Sequence, residues 1–257
     1  MLSRNQVKHI RSLKQKKFRE IHHQFLAEGS KLVSELLESS FKVINIYALT
    51  DWLKHNESQV LSKEVTFLEV SGEEMERISA LSSPSPALAI AEIPIMPTPP
   101  TVINDLVLIL DDIKDPGNLG TIIRIADWFG IESVICSGNT VDLYNPKVIQ
   151  ATMGSILRVR VTYANLSDFL SSLDPTIKVY GSFPKGENVY SIKLESKGII
   201  IIGSESSGIS PEIISNVTDK ISIPSFAKAS GVRDHAESLN ASIAAAIICS
   251  EFRRRKG

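Results

Sequence analysis

Apolar residues recur along this chain at spacings that predict alternating strands and helices. The five apolar residues at 106–110 are typical of a buried strand, and after them Leu119, Ile122, Ile123 and Ala126 recur at helical spacing. Before residue 94 the pattern predicts helices at 3–13, 30–37 and 72–81 and strands at 43–49, 65–70 and 87–93. These elements form a small α/β module.

Four prolines within residues 94–101 disfavour regular structure and predict a stiff linker. We therefore expect two domains, at 1–93 and 102–257. After the linker the predicted strands are 106–110, 133–136, 157–161, 177–182, 198–203 and 219–223, and the predicted helices are 118–129, 145–153, 165–172, 210–216 and 236–254. This alternation indicates a mainly parallel sheet with helices on both faces, and such sheets bind ligands at the carboxyl ends of their strands.

Composition narrows the class of protein. The chain has 257 residues, enough for one large core or two modest ones. No apolar run is long enough to span a membrane, and the polar start lacks the apolar segment of a signal peptide, so we expect no membrane partner. Cys136 and Cys249 lie in apolar contexts, which argues against a disulfide and fits a reducing cytoplasm. The histidines are scattered or adjacent, so we expect no metal site.

Positive charge is concentrated at the two ends of the chain, although the formal net charge is only −1. The small net charge argues against a protein that coats nucleic acid indiscriminately. Near the start, the candidates for salt-dependent contact with RNA phosphates are Arg4, Lys8, Arg11, Lys14 and Lys17. The chain ends in Arg253, Arg254, Arg255 and Lys256. For both ends, a solvated helix terminus is the alternative interpretation.

The loop after the strand at 106–110 carries the first candidate chemistry. Pro116 and Gly117 follow an acidic pair, and Asn118 opens the next helix, in which Arg124 lies away from the apolar stripe. A helix N-terminus and a guanidinium group both favour phosphate or carboxylate. The alternatives are that Asn118 only caps the helix and that Arg124 is a solvated surface charge.

The strand at 198–203 ends in the sequence GSESSG at 203–208. Two glycines that bracket Glu205 suggest a backbone wrapped closely round a ligand, with the carboxylate orienting a partner. A turn with an exposed acid is the alternative.

A third polar loop follows the strand at 219–223 and leads to the last helix. Ser238 and Asn240 stand where that helix begins, and helix capping is the alternative interpretation of both. The chain lacks the Walker, GxGxxG and GxSxG patterns, which argues against an ATPase, a dinucleotide dehydrogenase and a serine hydrolase.

In this order and spacing, the three loops resemble the three motifs of the SpoU (TrmH-type) class of SPOUT RNA 2′-O-ribose methyltransferases. The matching residues are Asn118, Leu119, Gly120 and Arg124 in the first motif, Gly203, Glu205 and Gly208 in the second, and Ile223, Pro224, Ser238, Leu239, Asn240 and Ser242 in the third. Residues 1–93 resemble, more diffusely, the ribosomal-protein-like domain that often precedes this catalytic domain and binds its RNA substrate. The resemblance covers nearly the whole chain.

The resemblance implies an α/β-knot fold, in which the C-terminal segment forms a trefoil knot, and a homodimer whose active site is completed across the interface. It implies S-adenosylmethionine as the cofactor, bound by Gly203, Gly208, Ile223 and Leu239. It also implies that Arg124 grips an RNA phosphate and stabilises developing alkoxide charge, while Asn118, Glu205, Ser238 and Asn240 hold the arginine or the ribose.

These expectations describe an enzyme that methylates a ribose 2′-hydroxyl group. Ribosomal RNA is the expected substrate because the N-terminal domain resembles a ribosomal-protein-like domain that binds RNA. The alternatives are a tRNA methyltransferase, a catalytically inactive RNA-binding member of the same fold and an enzyme acting on a small phosphorylated metabolite. Two departures from the family pattern bear on this. Ser204 stands where asparagine is common, and the segment 225–237, which begins with Ser225 in place of methionine and contains Lys228 and Arg233, is longer than usual.

Overall fold

The computed structural model describes residues 1–56, 65–226 and 238–254. Up to residue 95 its elements are α1 (Arg4–Ser12), α2 (Lys16–His22), β1 (Gln24–Glu28), α3 (Ser30–Glu38), β2 (Val43–Ala48), α4 (Thr50–His55), β3 (Thr66–Glu69), α5 (Gly72–Ile78) and β4 (Ala87–Glu92). The later elements are β5 (Leu106–Leu110), α6 (Pro116–Trp128), β6 (Ser133–Ser137), α7 (Pro146–Thr152), a 3₁₀ turn (Ser155–Leu157), β7 (Arg160–Ala164), α8 (Leu166–Ser171), β8 (Val179–Asn188), β9 (Gly198–Ile202), α9 (Pro211–Ile214), β10 (Asp219–Ser222) and α10 (Ala241–Arg254).

The chain divides into two compact units that are not contiguous in sequence. The first contains Met1–Ile95 and Asp142–Leu157, and the second contains Met96–Val141 and Arg158–Gly257. The sequence pattern placed 142–157 in the second domain, whereas its contacts group it with the first 95 residues. The division into domains at 1–93 and 102–257 stays a prediction.

The first unit is built on a four-stranded mixed sheet in the order β1-β4-β2-β3. Strand β4 is antiparallel to β1 and β2, and β2 is parallel to β3. Helix α1 starts with a capping box, because Ser3 Oγ accepts a hydrogen bond from Gln6 N and the Gln6 side chain accepts one from Ser3 N. Its buried residues Val7 and Ile10 pack into a core with Leu26 and Leu88, which holds the polar face of α1 in solvent.

The segment 142–157 is held to α2 and β1 by polar and aromatic contacts. Arg19, which is buried, forms an ion pair with Asp142 and donates a hydrogen bond to Leu13 O at 2.9 Å. The rings of Phe25 and Tyr144 lie 4.9 Å apart between centroids. A buried charge needs such a partner, so Arg19 is a structural residue of this unit.

The second unit is built on a six-stranded parallel sheet in the order β10-β8-β9-β5-β6-β7. Strand β5 is central and buried at all five positions. Val107 and Ile109 pack in a core with residues of α8 and α9, while the ring of Phe252 in α10 lies 4.9 Å from that of Tyr180 in β8. A parallel strand covered on both faces needs apolar residues at every position, which explains the unbroken apolar run at 106–110.

Several predicted bounds differ from the observed ones. Helix α6 begins at Pro116, two residues before Asn118, because Asp115 is its N-cap and Pro116 fits the first helical turn. The strand predicted at 157–161 lies at 160–164, after a 3₁₀ turn. The last helix begins at Ala241, and the predicted start at 236 lies outside the described residues. The sequence pattern missed α2, β1 and α4.

The fold predicted from sequence is confirmed at the level of an α/β architecture with a parallel sheet flanked by helices. The trefoil knot stays a prediction. Across the described ranges, no helix has both the length and the apolar character needed to cross a membrane.

Candidate active site

The loop at 203–208 folds tightly on itself at the carboxyl end of β9. Ser204 N donates to Gly208 O at 3.1 Å, and Gly208 N donates back to Ser204 O at 2.9 Å. A Cβ atom on Gly203 would lie 2.2 Å from the carbonyl carbon of Gly208, so no other residue fits there. The two glycines therefore let the loop close on itself, and Glu205 is left exposed within it. That its backbone wraps closely round a ligand stays a prediction.

The start of α6 leaves the side chain of Asn118 free for other contacts. The N-cap of this helix is Asp115, whose carboxylate accepts a hydrogen bond from Asn118 N at 2.8 Å. The N-cap interpretation of Asn118 is therefore wrong. Its amide lies in the first turn of the helix, at the edge of the sheet where the loops after β5 and β9 begin.

The start of α10 is capped by Asn240. Its Oδ1 atom accepts hydrogen bonds from Ser242 N at 3.0 Å, Ser242 Oγ at 2.6 Å and Ile243 N at 3.3 Å. The capping interpretation thus holds for Asn240, which also takes part in the site. Ser238 lies two residues before this cap and is exposed.

Asn118, Glu205 and Asn240 meet in a closed set of hydrogen bonds, which we call the polar triangle. Asn118 Nδ2 donates to Glu205 Oε1 at 2.5 Å, and Asn240 Nδ2 donates to Asn118 Oδ1 at 2.9 Å. Asn240 Nδ2 also lies 3.5 Å from Glu205 Oε1, which accepts a further bond from Ala241 N at 3.1 Å. Three polar residues widely separated in sequence therefore join the starts of two helices to the loop after β9.

The cap fixes the orientation of both amides in the polar triangle. Because Asn240 Oδ1 accepts from the first turn of α10, its Nδ2 must face Asn118. Asn118 then receives that bond on Oδ1 and presents Nδ2 to Glu205. Among the described residues, the hydrogen bonds to Glu205 all reach Oε1, so Oε2 can accept a bond from a ligand.

Arg124 is exposed on α6 and is not part of the polar triangle. It lies six residues beyond Asn118, which is about 9 Å along a helix axis. Within the described parts of the chain it makes no hydrogen bond or ion pair. Of the five predicted catalytic residues, the structure therefore brings Asn118, Glu205 and Asn240 together and leaves Arg124 and Ser238 outside the polar triangle.

Helices α6 and α10 run side by side in the same direction and are joined at both ends. The polar triangle joins their N-terminal ends. At their C-terminal ends Arg253 donates to Phe129 O at 2.8 Å, to Gly130 O at 2.9 Å and to the carboxylate of Asp105 at 2.8 and 3.2 Å. This pair of helices holds the three site residues in a fixed frame.

The residues predicted to bind the cofactor lie in the loops around this frame. Gly203 and Gly208 belong to the loop after β9, and Ile223 directly follows β10 and is half-buried. Leu239 precedes the cap of α10 and is 45% exposed. Most of the long segment 225–237, with Lys228 and Arg233, lies outside the described residues.

The predicted RNA-binding residues lie in the first unit. Arg4, Lys8, Arg11 and Lys14 line one groove of about 630 Å³, together with Phe18 and Arg77, and Lys17 is exposed on α2 outside that lining. Sequence reasoning missed Phe18 and Arg77. At the C-terminus, Arg253 and Arg254 are engaged by acids and carbonyl groups, and Arg255 and Lys256 lie outside the described residues. No group of three His, Cys, Asp or Glu side chains in the described ranges is placed to hold a metal ion.

Two family models match the chain. Residues 105–250 match the SpoU rRNA Methylase family, and residues 4–89 match the MRM3-like substrate binding domain. The chain is also 30% identical to the 23S rRNA (guanosine(2553)-2′-O)-methyltransferase RlmP of Bacillus subtilis, over 96% of this chain and 95% of that protein.

Solved structures of several proteins resemble the whole chain. A TrmH-family protein from Porphyromonas gingivalis is 38% identical, with a TM-score of 0.86 over 99% of both chains. The AdoMet-bound rRNA methyltransferase from Sinorhizobium meliloti is 29% identical, with a TM-score of 0.85 over 99% of this chain and 97% of that one.

Proposed function

The chain belongs to the SpoU rRNA methylase family, and from that premise we propose that it transfers a methyl group from S-adenosylmethionine to a ribose 2′-hydroxyl group of ribosomal RNA. The observation that carries the proposal is the polar triangle, because it gathers Asn118, Glu205 and Asn240 at the edge of the parallel sheet where ligands of such folds bind. The name of the Bacillus subtilis relative supports the same reaction and the same class of RNA.

The loops beside the polar triangle suit an adenosine-containing cofactor. Leu239 and Ile223 expose apolar surface, and the loop at 203–208 presents backbone groups next to it. Ligand pockets are lined mainly by apolar side chains with a few placed polar groups, which suits a purine, and backbone carbonyl oxygens can face a positively charged sulfonium group. We therefore assign cofactor binding to Gly203, Gly208, Ile223 and Leu239. When bound, S-adenosylmethionine supplies a methyl group that is already activated for transfer.

The chain's own task is to align the ribose hydroxyl group and to help it lose its proton. Glu205 Oε1 is committed to Asn118 and Ala241, so Glu205 acts first as a positioning residue. Its Oε2 atom is the acceptor we assign to a ribose hydroxyl group. Ser238, exposed beside the cap, is assigned a hydrogen bond to the same ligand.

We assign to Arg124 the phosphate contact and the stabilisation of developing alkoxide charge, because a guanidinium group stays protonated and binds oxyanions well. Arg124 stands apart from the polar triangle of its own chain. We therefore propose a homodimer in which Arg124 of one copy completes the site of the other. Large exposed apolar side chains support an interface on the paired helices, since Trp128 on α6 is 84% exposed and Ile243 on α10 is 51% exposed.

The reaction is tested by incubating the protein with isotopically labelled S-adenosylmethionine and unmodified cellular RNA, then digesting each RNA size class to nucleosides. Label in a 2′-O-methyl nucleoside of ribosomal RNA is expected. Label confined to transfer RNA would move the substrate to that class. Absence of label in every RNA, beside an active control enzyme, would overturn the catalytic proposal in favour of an RNA-binding protein. We also propose a cytoplasmic location, which is tested separately by fractionation of the source cells.

The polar triangle is tested by Asn240→Asp. Aspartate keeps the helix cap but removes the Nδ2 donor and places a second carboxylate beside Glu205. We expect kcat to fall about a hundredfold with little loss of stability, because misplacement of the reacting groups by about 1 Å costs that much. Asn104→Asp, the same substitution at an exposed position just before β5, is the matched control. A variant as active as the control would show that the triangle has no part in turnover.

The dimer proposal is tested by mixing two inactive variants, Arg124→Ala and Glu205→Gln. If each site takes Arg124 from one copy and Glu205 from the other, random exchange restores about a quarter of the wild-type rate, since half of the dimers are mixed and one of their two sites is intact. A site formed within one chain would show no recovery. Light scattering on the separate variants confirms that both still assemble.

A further inference from the structure

A groove in the first unit is lined by α1, α2 and α5 and has a volume of about 630 Å³. Its cations come from two of these helices and the turn after α1: Arg4, Lys8, Arg11, Lys14 and Arg77. On α1, Arg4, Lys8 and Arg11 follow the spacing i, i+4, i+7 and so form one stripe along the helix. Among the residues that the structure describes, no acidic side chain lines the groove.

Two acids of the same unit, Glu74 and Glu28, are engaged by other groups. The Glu74 carboxylate accepts hydrogen bonds from Leu2 N and Ser71 N, which lower its pKa. The charge of Arg77 lowers that pKa to a smaller extent. Buried Glu28 accepts bonds from the Ser79 hydroxyl group and Ala80 N. In the described parts of the chain, Arg4, Lys8 and Arg11 form no ion pair. Like charges held together without counter-ions repel one another, and a bound polyanion would relieve that repulsion.

Lys14 shows the electrostatic effect of this crowding. Its ammonium group donates a hydrogen bond to Ser79 O. Burial lowers its pKa, the charge of Arg11 lowers it further, and Glu28 acts in the opposite direction. A phosphate group placed in the groove would favour the protonated ammonium, which is the form that binds it.

The groove differs from a simple phosphate-binding surface because an aromatic side chain is part of its lining. Phe18 is half-buried in the lining, and its ring lies nearly parallel to that of His22, with 13° between planes and 6.5 Å between centroids. His22 in turn meets the ring of His9 edge-on at 4.8 Å. The uncharged side chains of Ser12 and Gln15 also line the groove and can bond to base edges.

We propose that this groove binds an unpaired stretch of RNA, with a base stacked on Phe18 and the phosphates on the cations of α1 and on Arg77. The inference rests on the proposed function insofar as RNA is the substrate, and it adds the form of the RNA and two residues that bind it. A base inside a double helix is stacked on its neighbours and cannot reach Phe18, whereas unpaired bases stack readily on aromatic side chains. Cations beside an aromatic face are typical of proteins that bind single strands.

The test measures binding of the full chain to a fluorescent single-stranded RNA of about 12 nucleotides, without cofactor, and to the same strand annealed to its complement. We expect the single strand to bind at least tenfold more tightly. If each of the five cations neutralises one phosphate, the slope of log K against log salt is about −3.5, and Arg77→Gln reduces it by about 0.7. Lys42→Gln, which removes a charge paired with Glu92 in the same unit, leaves affinity and slope unchanged.

Phe18→Leu separates stacking from charge. We expect affinity for the single strand to fall roughly tenfold while the salt slope stays the same, since leucine keeps the apolar volume and loses the ring face. The melting temperature of each variant shows that the unit still folds. Equal affinity for the duplex, or unchanged binding by Phe18→Leu, would overturn the proposal. Because this binding needs no methyl transfer, a failed transfer assay would overturn the catalytic proposal and leave this one standing.

Discussion

The two basic ends of the chain look alike in sequence and differ in structure. At the N-terminal end, Arg4, Lys8 and Arg11 face a groove whose described lining contains no acid. At the C-terminal end, Arg253 donates to two carbonyl groups of the chain after α6 and to both oxygens of Asp105. Arg254 is paired with Glu251 at 2.7 Å. The charge of one end therefore lines a groove, whereas at the other end Arg253 holds two helices together.

The difference lies in the acceptors that the fold places within reach. A guanidinium group has five N–H donors, and those of Arg253 meet carbonyl groups that the end of a helix leaves unsatisfied. In the part of the chain that the structure describes, the cations of α1 meet no such groups, because the apolar face of that helix, with Val7 and Ile10, packs into the core and leaves them facing the groove. A run of charged residues in the sequence therefore does not identify a binding surface by itself. The hydrogen-bond acceptors that the fold places around the charges decide whether they are engaged within the chain.

The largest effect we expect is a loss of stability at the C-terminal end. Arg253→Met removes four hydrogen bonds from a side chain that is only 16% exposed. We expect the free energy of local opening to fall by about 2 kcal/mol, since hydrogen bonds to charged groups contribute that much. Burial raises the pKa of the Cys249 thiol to about 12. That thiol, one turn away, therefore reacts only when the helix opens, and its alkylation should be roughly 30-fold faster in the variant.

Arg160→Met is the matched control, because Arg160 is exposed on β7 in the same unit. Its thiol labelling should equal that of the wild type, with mass spectrometry separating Cys249 from Cys136. Asp105→Asn should show a smaller acceleration than Arg253→Met, because the two carbonyl acceptors remain. Equal labelling of Arg253→Met and its control would mean that the C-terminal arginine is a solvated charge after all.

The sequence predicted the elements of the active site better than their contacts. Strand β5 was predicted to the residue, because a strand covered on both faces is an unbroken apolar run. The three polar loops were expected together because parallel strands end at one edge of the sheet. The bond from Ala241 N to Glu205 was not predictable, because it depends on where α10 starts, and neither was the capping of α6 by Asp115 in place of Asn118.

The groove shows the same limit of sequence patterns. Arg4, Lys8, Arg11 and Lys14 are close in sequence and were predicted together, and the structure places them in one lining. Arg77 comes from a helix much later in the chain and Phe18 looks like an ordinary apolar residue of α2, so no local pattern marks either. What joins them is the packing of α5 against α1, which only the tertiary fold supplies.

The pKa values of cations paired with acids shift in the opposite direction to that of Lys14 in the groove. Two cations that are paired with acids have raised pKa values: a hydrogen bond to Asp219 raises that of Lys178, and one to Glu251 raises that of Arg254. Lys14 in the groove has a lowered one, through burial first and Arg11 second. Arg11→Gln should therefore raise the pKa of Lys14 part of the way to its usual value, because burial persists. NMR titration of isotopically dimethylated lysines measures this.

The matched variant for that titration is Lys42→Gln, which removes an equal charge paired with Glu92. It should leave the pKa of Lys14 unchanged. Single-stranded RNA should raise the pKa of Lys14 in the wild type, because the phosphate favours the charged form. A pKa that fails to rise in Arg11→Gln would show that the groove cations do not act on one another.

The smallest effect we expect is on stability at the N-terminal end. Lys8 lies between Arg4 and Arg11 at i, i+4 and i, i+3 spacing, where like charges destabilise a helix by about 0.2–0.5 kcal/mol. Lys8→Gln should therefore leave the melting temperature unchanged or raise it by about 1 °C, and the gain should vanish in about 1 M salt, which screens exposed charges. Lys16→Gln, which removes a cation paired with Glu20 at 3.7 Å, should show no such gain.

A fall of several degrees in Lys8→Gln would instead mean that the fold depends on this charge, as it depends on Arg253, and the contrast between the two ends would not stand. A gain at low salt together with weaker RNA binding would show that the chain tolerates repulsion in this helix because the RNA relieves it.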